Sequence, residues 1–228
     1  MNDIYLYEGT NVLINKLNIR DYKALEEAEG TLVSLNIARL LTQQYAIKDL
    51  LDVKQIHKAL FFDLYEWAGE NRKMNMYKEE PVLDGLSVTY SDYRSIEKDL
   101  QKLNAEYKKI KWKELTKKQT VETISNIIAR LWRIHCFREG NTRTVTTLLY
   151  LLMKQIGLTV NTDFLSKHAK FFRNALVMCS IDEYSEPEHL INIMMDSVSM
   201  KDIGTGQYKT IHQYEVDKYE YKDHKYKD

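Results

Sequence analysis

A chain of 228 residues is long enough for one domain with a full core. Its 33 Lys and Arg balance 33 Asp and Glu, so no excess charge points to a nucleic acid or an anionic membrane surface. Two cysteines are too few for a disulfide framework, no apolar run approaches the roughly 18 residues of a membrane span, and residues 1–5 do not lead from a basic stretch into an apolar one. These features predict a cytoplasmic protein; secretion as an effector by a route without a cleaved signal stays open.

Gly (8) and Pro (2) are scarce, and apolar residues recur three and four apart, which predicts an all-α domain. A short helix is expected around Asn11–Lys16. Asp21 to about Gln43 reads as a longer one, with Leu25, Ala28, Leu32, Leu35, Ala38 and Leu41 as its apolar stripe. Asp52 suits the N-cap of a helix running to Trp67, closed by Ala68-Gly69. Between about 71 and 90 the helical period breaks. Met74, Met76, Val82, Leu86, Val88 and Tyr90 are separated by charges and by Asp84-Gly85, a turn signal, so a short β-hairpin is expected there. Helical period returns over Ser91–Lys109 and Thr116–Ile134. Thr142–Ile156 is apolar almost all round and reads as a central helix. Two further helices are expected at about 163–178 and 185–200. From Lys201 the chain is Gly-, Lys- and Tyr-rich with no burial pattern, so the domain is drawn as 1–200 and a loose tail as 201–228.

The chemistry concentrates in Ile134-His135-Cys136-Phe137-Arg138-Glu139-Gly140-Asn141-Thr142-Arg143-Thr144. Histidine is the side chain that takes up a proton near neutrality, so His135 is a candidate general base. Glu139 offers carboxylate oxygens for Mg²⁺ shared with phosphates. Gly140-Asn141 places a turn before the next helix, whose first amides, from Gly140 through Asn141 and Thr142 to Arg143, would face an anion. Arg143 adds a guanidinium fork for a phosphate oxygen. Phe137 is expected to turn inward and anchor the loop. Taken singly, each residue has a plainer reading: a histidine at a helix C-terminus complements the dipole, and Glu139 with Arg143 makes an i, i+4 ion pair. The order and spacing of the whole set favour phosphate chemistry.

That string resembles the Fic-domain signature H-x-F-x-[DE]-G-N-[GK]-R-x-x-R, with the signature loop over 135–146. The run from Ile56 to Glu70, with Leu60-Phe61, Tyr65 and Trp67-Ala68-Gly69, is similar to a second block of the Fic/Doc superfamily. The likeness spans roughly residues 5–200 and suggests a small bacterial protein adenylyltransferase or a toxin-like relative. It implies a Fic-type helical bundle with a hairpin flap at about 71–90. It further implies transfer of AMP from ATP, with Mg²⁺, to a Ser, Thr or Tyr hydroxyl of a protein target. By motif position, His135 is the base, Glu139 the Mg²⁺ ligand, and Gly140, Asn141, Thr142 and Arg143 the phosphate binders. Asn75, Met76 and Tyr77 fall in the flap, which lines up the target by strand addition. No nucleic acid or membrane enters this reading.

Three positions depart from the pattern. Cys136 replaces the usual proline; a Cys/His nucleophile pair with His135 is disfavoured because adjacent residues rarely present both side chains to one substrate. Thr142 replaces the usual glycine. Thr146 stands where the resemblance implies a second arginine on the terminal phosphate, and threonine supplies no charge. Nor does any Ser or Thr precede a Glu by four residues, as in the inhibitory helix of many relatives, so a separate antitoxin-like inhibitor is the expected alternative. A catalytically weak interaction module, or a transferase using another phosphate-containing donor, are the rival readings.

Overall fold

The computed structural model describes residues 3–43, 45–181 and 185–199; the tail drawn at 201–228 lies outside them. Among the described residues eight α-helices follow in chain order: α1 Tyr22–Thr42, α2 Val53–Phe61, α3 Ile96–Tyr107, α4 Lys117–Ile134, α5 Asn141–Gln155, α6 Thr162–Lys167, α7 Ala169–Cys179 and α8 Pro187–Ser199. Among the described residues no strand ladder forms, and no helix is long and apolar enough to cross a membrane. The all-α expectation therefore holds.

The chain divides into two compact units. The first comprises residues 1–76, 91–110 and 134–157 and contains α1, α2, α3, α5 and the signature loop. Here α2 packs on both α1 and α5, burying Ile56, Leu60 and Phe61 with Val33, Leu40, Leu148 and Leu152. The α1 helix starts where predicted, with the Asp21 carboxylate capping the Ala24 amide at 2.8 Å. Of the predicted stripe, Leu25 alone is buried. Leu25, Glu29, Val33, Asn36 and Leu40 point inward, whereas Leu35 is 60% exposed. Polar partners draw in the two polar residues: Asn36 donates to the Leu60 carbonyl (3.1 Å) and to Asp63 (3.2 Å), and Glu29 serves the site described below.

The helix expected to reach Trp67 stops at Phe61. The N-terminal segment takes over carbonyls there: the Lys16 amide donates to Leu64 O and Lys16 Nζ to Phe62 O, both at 2.8 Å. That segment is irregular; instead of a helix at 11–16 it shows an isolated bridge between Leu6 and Leu13. The α3 helix begins at Ile96 rather than Ser91, because Asp92 and Asn75 fold residues 92–95 into a turn.

The second unit comprises residues 77–90, 111–133 and the chain from 158 onward. In it α6, α7 and α8 pack together, with Leu176, Val177, Leu190, Ile193 and Met194 buried. The helix predicted at 163–178 is broken at His168. The expected β-hairpin is corrected: the chain reverses through a short 3₁₀ turn, Pro81–Leu83, without a ladder. Pro81 has no amide to donate, and Asp84 and Gly85 both adopt positive φ, so the reversal closes on Glu80, whose amide meets Leu86 O at 3.0 Å and whose carbonyl accepts the Gly85 amide at 3.1 Å.

Candidate active site

The signature loop leaves α4 at His135, which takes a left-handed backbone conformation (φ 52°) and is buried. A non-glycine residue holds that conformation only where its surroundings impose it. Cys136 and Phe137 follow, both buried. As expected, Phe137 turns inward. Asn141, the first residue of α5, clasps it: the Phe137 amide donates to Asn141 Oδ1 at 2.9 Å, and Asn141 Nδ2 donates to Phe137 O at 2.8 Å. The Asn141 side chain thus closes the loop, and its contribution at the helix N-terminus comes through the backbone.

A histidine from α2 secures the other side of the loop. The fully buried His57 ring lies between Phe137 (centroids 3.8 Å apart) and Phe61 (4.6 Å). Its Nδ1 accepts the Gly69 amide at 2.8 Å, which requires a lone pair there. The ring proton is therefore on Nε2, which donates to Glu139 O at 3.1 Å. Burial, with the Arg143 charge acting in the same sense, lowers the His57 pKa to about 3, so the ring is neutral at physiological pH.

Gly140 opens α5 at φ 78°, and a Cβ there would lie 2.2 Å from Phe61 Cζ. Only glycine satisfies both the backbone angle and that approach. The Gly140 amide donates to Glu139 Oε1 at 2.9 Å. The first turn of a helix has no preceding turn to supply carbonyls for its amides, and α5 begins here, at Asn141. Arg143 stands one turn into the helix, its guanidinium 5.0 Å from the Phe61 ring centre and 3.6 Å from Glu139 Oε1. It also pairs with Glu29 of α1, whose second oxygen accepts the Tyr65 hydroxyl. Burial first, then the Glu29 charge, raises the Tyr65 pKa, so its proton stays on this bond.

Around Arg143, then, lie two carboxylates, an aromatic face and a helix N-terminus. Glu139 is about one-third exposed, which suits a carboxylate that shares Mg²⁺ with phosphate oxygens. Thr146 cannot stand in for an arginine: its Oγ1 donates back to Thr142 O at 2.8 Å, as Thr144 does to Gly140 O and Thr147 to Arg143 O at the same distance. Cys136 is sealed, and burial pushes its thiol up to about 12, which removes it as a nucleophile near neutrality. Asn75 is placed at the end of the first unit, where it accepts the Tyr93 amide and donates to Asp92. Met76 is half-buried, and Tyr77, in the second unit, is 69% exposed.

Three side chains organising this loop lay outside the sequence reading: His57, Glu29 and Arg72. Glu29 had a signal, because it falls four residues after Leu25 and four before Val33 and so on the buried face. His57 and Arg72 act across distant turns, which no local period marks.

A profile of the Fic/DOC family matches residues 48–153. Over 181 residues, 78% of this chain and 88% of the relative, the sequence is 30% identical to a probable protein adenylyltransferase of Sinorhizobium fredii. This chain belongs to the Fic/DOC family. It is also 26% identical over 196 residues to the protein adenylyltransferase VbhT of Bartonella schoenbuchensis, covering 85% of this chain but only 38% of that protein's length. Among solved Fic structures, BepC of Bartonella tribocorum with bound AMPPNP superposes with a TM-score of 0.70 at 22% identity, over 85% of this chain and 95% of that one. A Fic domain from Bartonella quintana with bound ADP gives 0.71 at 21% identity, over 85% and 93%. These two establish the shared Fic fold.

Proposed function

We propose that this Fic/DOC protein is a nucleotidyltransferase that moves AMP from ATP to a Ser, Thr or Tyr hydroxyl of a protein target. The observation that carries the reading is the Glu139–Arg143 pair at the glycine-opened start of α5, in the loop that begins at the buried His135. The adenylyltransferase names of the relatives in Sinorhizobium fredii and Bartonella schoenbuchensis support it.

In this reading the α5 amides and Arg143 bind the phosphates and hold the α-phosphorus in line with the target oxygen. His135 takes the hydroxyl proton as that oxygen attacks. The new oxygen–phosphorus bond forms while the bond to pyrophosphate breaks, and pyrophosphate departs. Glu139 would hold Mg²⁺, which supplies charge neutralisation between phosphate groups. Glu29 occupies one edge of the Arg143 guanidinium and aims it, a role suited to a planar group with five donors. The target is a protein reached through residues 75–77, an antitoxin-like partner is the proposed inhibitor, and the cytoplasm supplies the ATP and Mg²⁺ the reaction needs.

A specific observation favours a second reading. With the Thr146 hydroxyl turned onto its own helix, nothing at that position meets a terminal phosphate by charge, and a donor other than a triphosphate becomes competitive.

One experiment separates the readings. A panel of labelled nucleotides, ATP first, is incubated with Mg²⁺, a bacterial lysate and either this protein or His135→Ala. The expected result is label from ATP on a lysate protein, reduced roughly 100- to 10,000-fold by the substitution. Label from another donor alone would replace ATP. No label from any donor, together with no ATP binding by calorimetry, would leave an interaction module.

A further inference from the structure

The most unusual side chain outside the signature is Arg72, only 2% exposed and always charged. Burying a cation costs several kcal/mol unless it is well bonded. Arg72 meets that cost with backbone carbonyls drawn from three places in the first unit. Its Nε donates to His135 O at 2.7 Å. Its Nη1 donates to Met74 O at 2.7 Å, and its Nη2 to Ser91 O. Its own amide donates to Cys136 O at 2.7 Å.

Two of these bonds fall on consecutive carbonyls, those of His135 and Cys136. They fix the peptide planes on both sides of Cys136 and so fix how the left-handed His135 leaves α4. That backbone sets the direction in which the His135 Cα–Cβ bond leaves the chain. The other two bonds fall on Met74 and Ser91, the roots from which residues 77–90 depart and to which they return. A planar fork with fixed donor directions suits this task; a lysine ammonium reaches fewer carbonyls and fixes none of their planes.

We propose that Arg72 is a positioning residue for the reaction. It holds His135 in its working backbone conformation and ties that conformation to Met74 and Ser91 within the first unit. The inference rests on the adenylyltransferase reading, with His135 as the base.

The test uses the full chain and three variants, Arg72→Lys, Arg72→Ala and His135→Ala, each assayed for transfer of label from ATP and for ATP–Mg²⁺ binding by calorimetry. Arg72→Lys is expected to lower transfer about 10- to 100-fold while ATP binding stays within about twofold, because the anion-binding turn of α5 is held by His57 and Asn141. The resonances of His135 and Cys136 should shift in Arg72→Lys while those of Gly140–Arg143 stay in place. In Arg72→Ala, millimolar guanidinium ion should restore part of the transfer and methylammonium should not. A folded Arg72→Lys with full transfer overturns the inference. So does a parallel loss of transfer and ATP binding, which would make Arg72 a support of the whole fold. If His135→Ala retains transfer, the adenylyltransferase reading itself fails, an outcome distinct from either. Should both Arg72 variants unfold, the unsubstituted protein decides: the Arg72 Nε–H must exchange slowly with solvent and show proximity to the His135 backbone, and rapid exchange overturns the proposal.

Discussion

Residues 135–143 and residues 77–90 differ in how their backbones are held. In the first stretch, buried side chains take the backbone almost group by group: Arg72 holds His135 O, Asn141 holds both ends of Phe137, and His57 holds Glu139 O. In the second, Glu80 is fully buried, and Leu83 and Val88 are buried with it. Glu80 receives both Arg173 nitrogens, at 2.6 and 3.0 Å, and the Tyr90 hydroxyl at 3.3 Å. Beyond that point Tyr77 and Leu86 are mostly exposed. In the proposed reading, the chemistry that depends on sub-ångström placement falls where the backbone is held closely, whereas the segment that receives the target keeps exposed side chains that can adapt.

The sharpest way to break this contrast is to loosen the rigid stretch. Gly140→Ala combines a positive φ with a Cβ driven into Phe61, and should cost about 2–4 kcal/mol in urea unfolding and abolish ATP binding. An alanine variant of full stability would mean that the loop yields easily.

A smaller effect comes from pH. In the unfolded chain His57 regains an ordinary imidazole and binds a proton below about pH 6.5, while the folded protein excludes that proton until about pH 3. The stability linked to His57 is therefore complete above pH 6.5 and is lost as the pH falls, at about 1.4 kcal/mol per unit. Between pH 6.5 and 5 the loss should reach about 2 kcal/mol. Urea unfolding of His57→Gln, which keeps a donor and an acceptor but no titrating group, should show that much less pH dependence over the same interval.

The smallest change in stability should come from the other region. Replacing Tyr77, 69% exposed, by proline should shift the unfolding free energy by no more than about 1 kcal/mol and leave ATP binding within about twofold, because surface changes away from packed features are usually mild. Transfer to a protein target should nevertheless fall about tenfold or more. A joint loss of ATP binding would erase the distinction between the two regions.

Much of this was legible in the sequence. The bounds of α1, α4 and α5 follow from period and caps, and the signature loop follows from residue order. The failures share a physical cause. The α1 stripe was read from apolar residues alone, although its buried face is set by what Glu29 and Asn36 can bond across the packed helices. The early end of α2 depends on Lys16, far back in the chain, taking carbonyls at Phe62 and Leu64. The hairpin failed because alternation suits a strand only when a partner accepts its amides, and Pro81 and Asp84-Gly85 bend this segment away from one. Arg72 gives no local signal, since its partners lie 63, 2 and 19 residues away.

The sealed thiol of Cys136 is a built-in clock. While the loop is closed, an alkylating reagent reaches neither the sulfur nor, with a pKa near 12, a useful fraction of thiolate. Labelling then waits for the loop to open, and its rate, compared with that of the half-buried Cys179, counts those openings. Nucleotide that settles on the closed loop should slow the Cys136 reaction in proportion to occupancy, which gives a binding readout that needs no target protein.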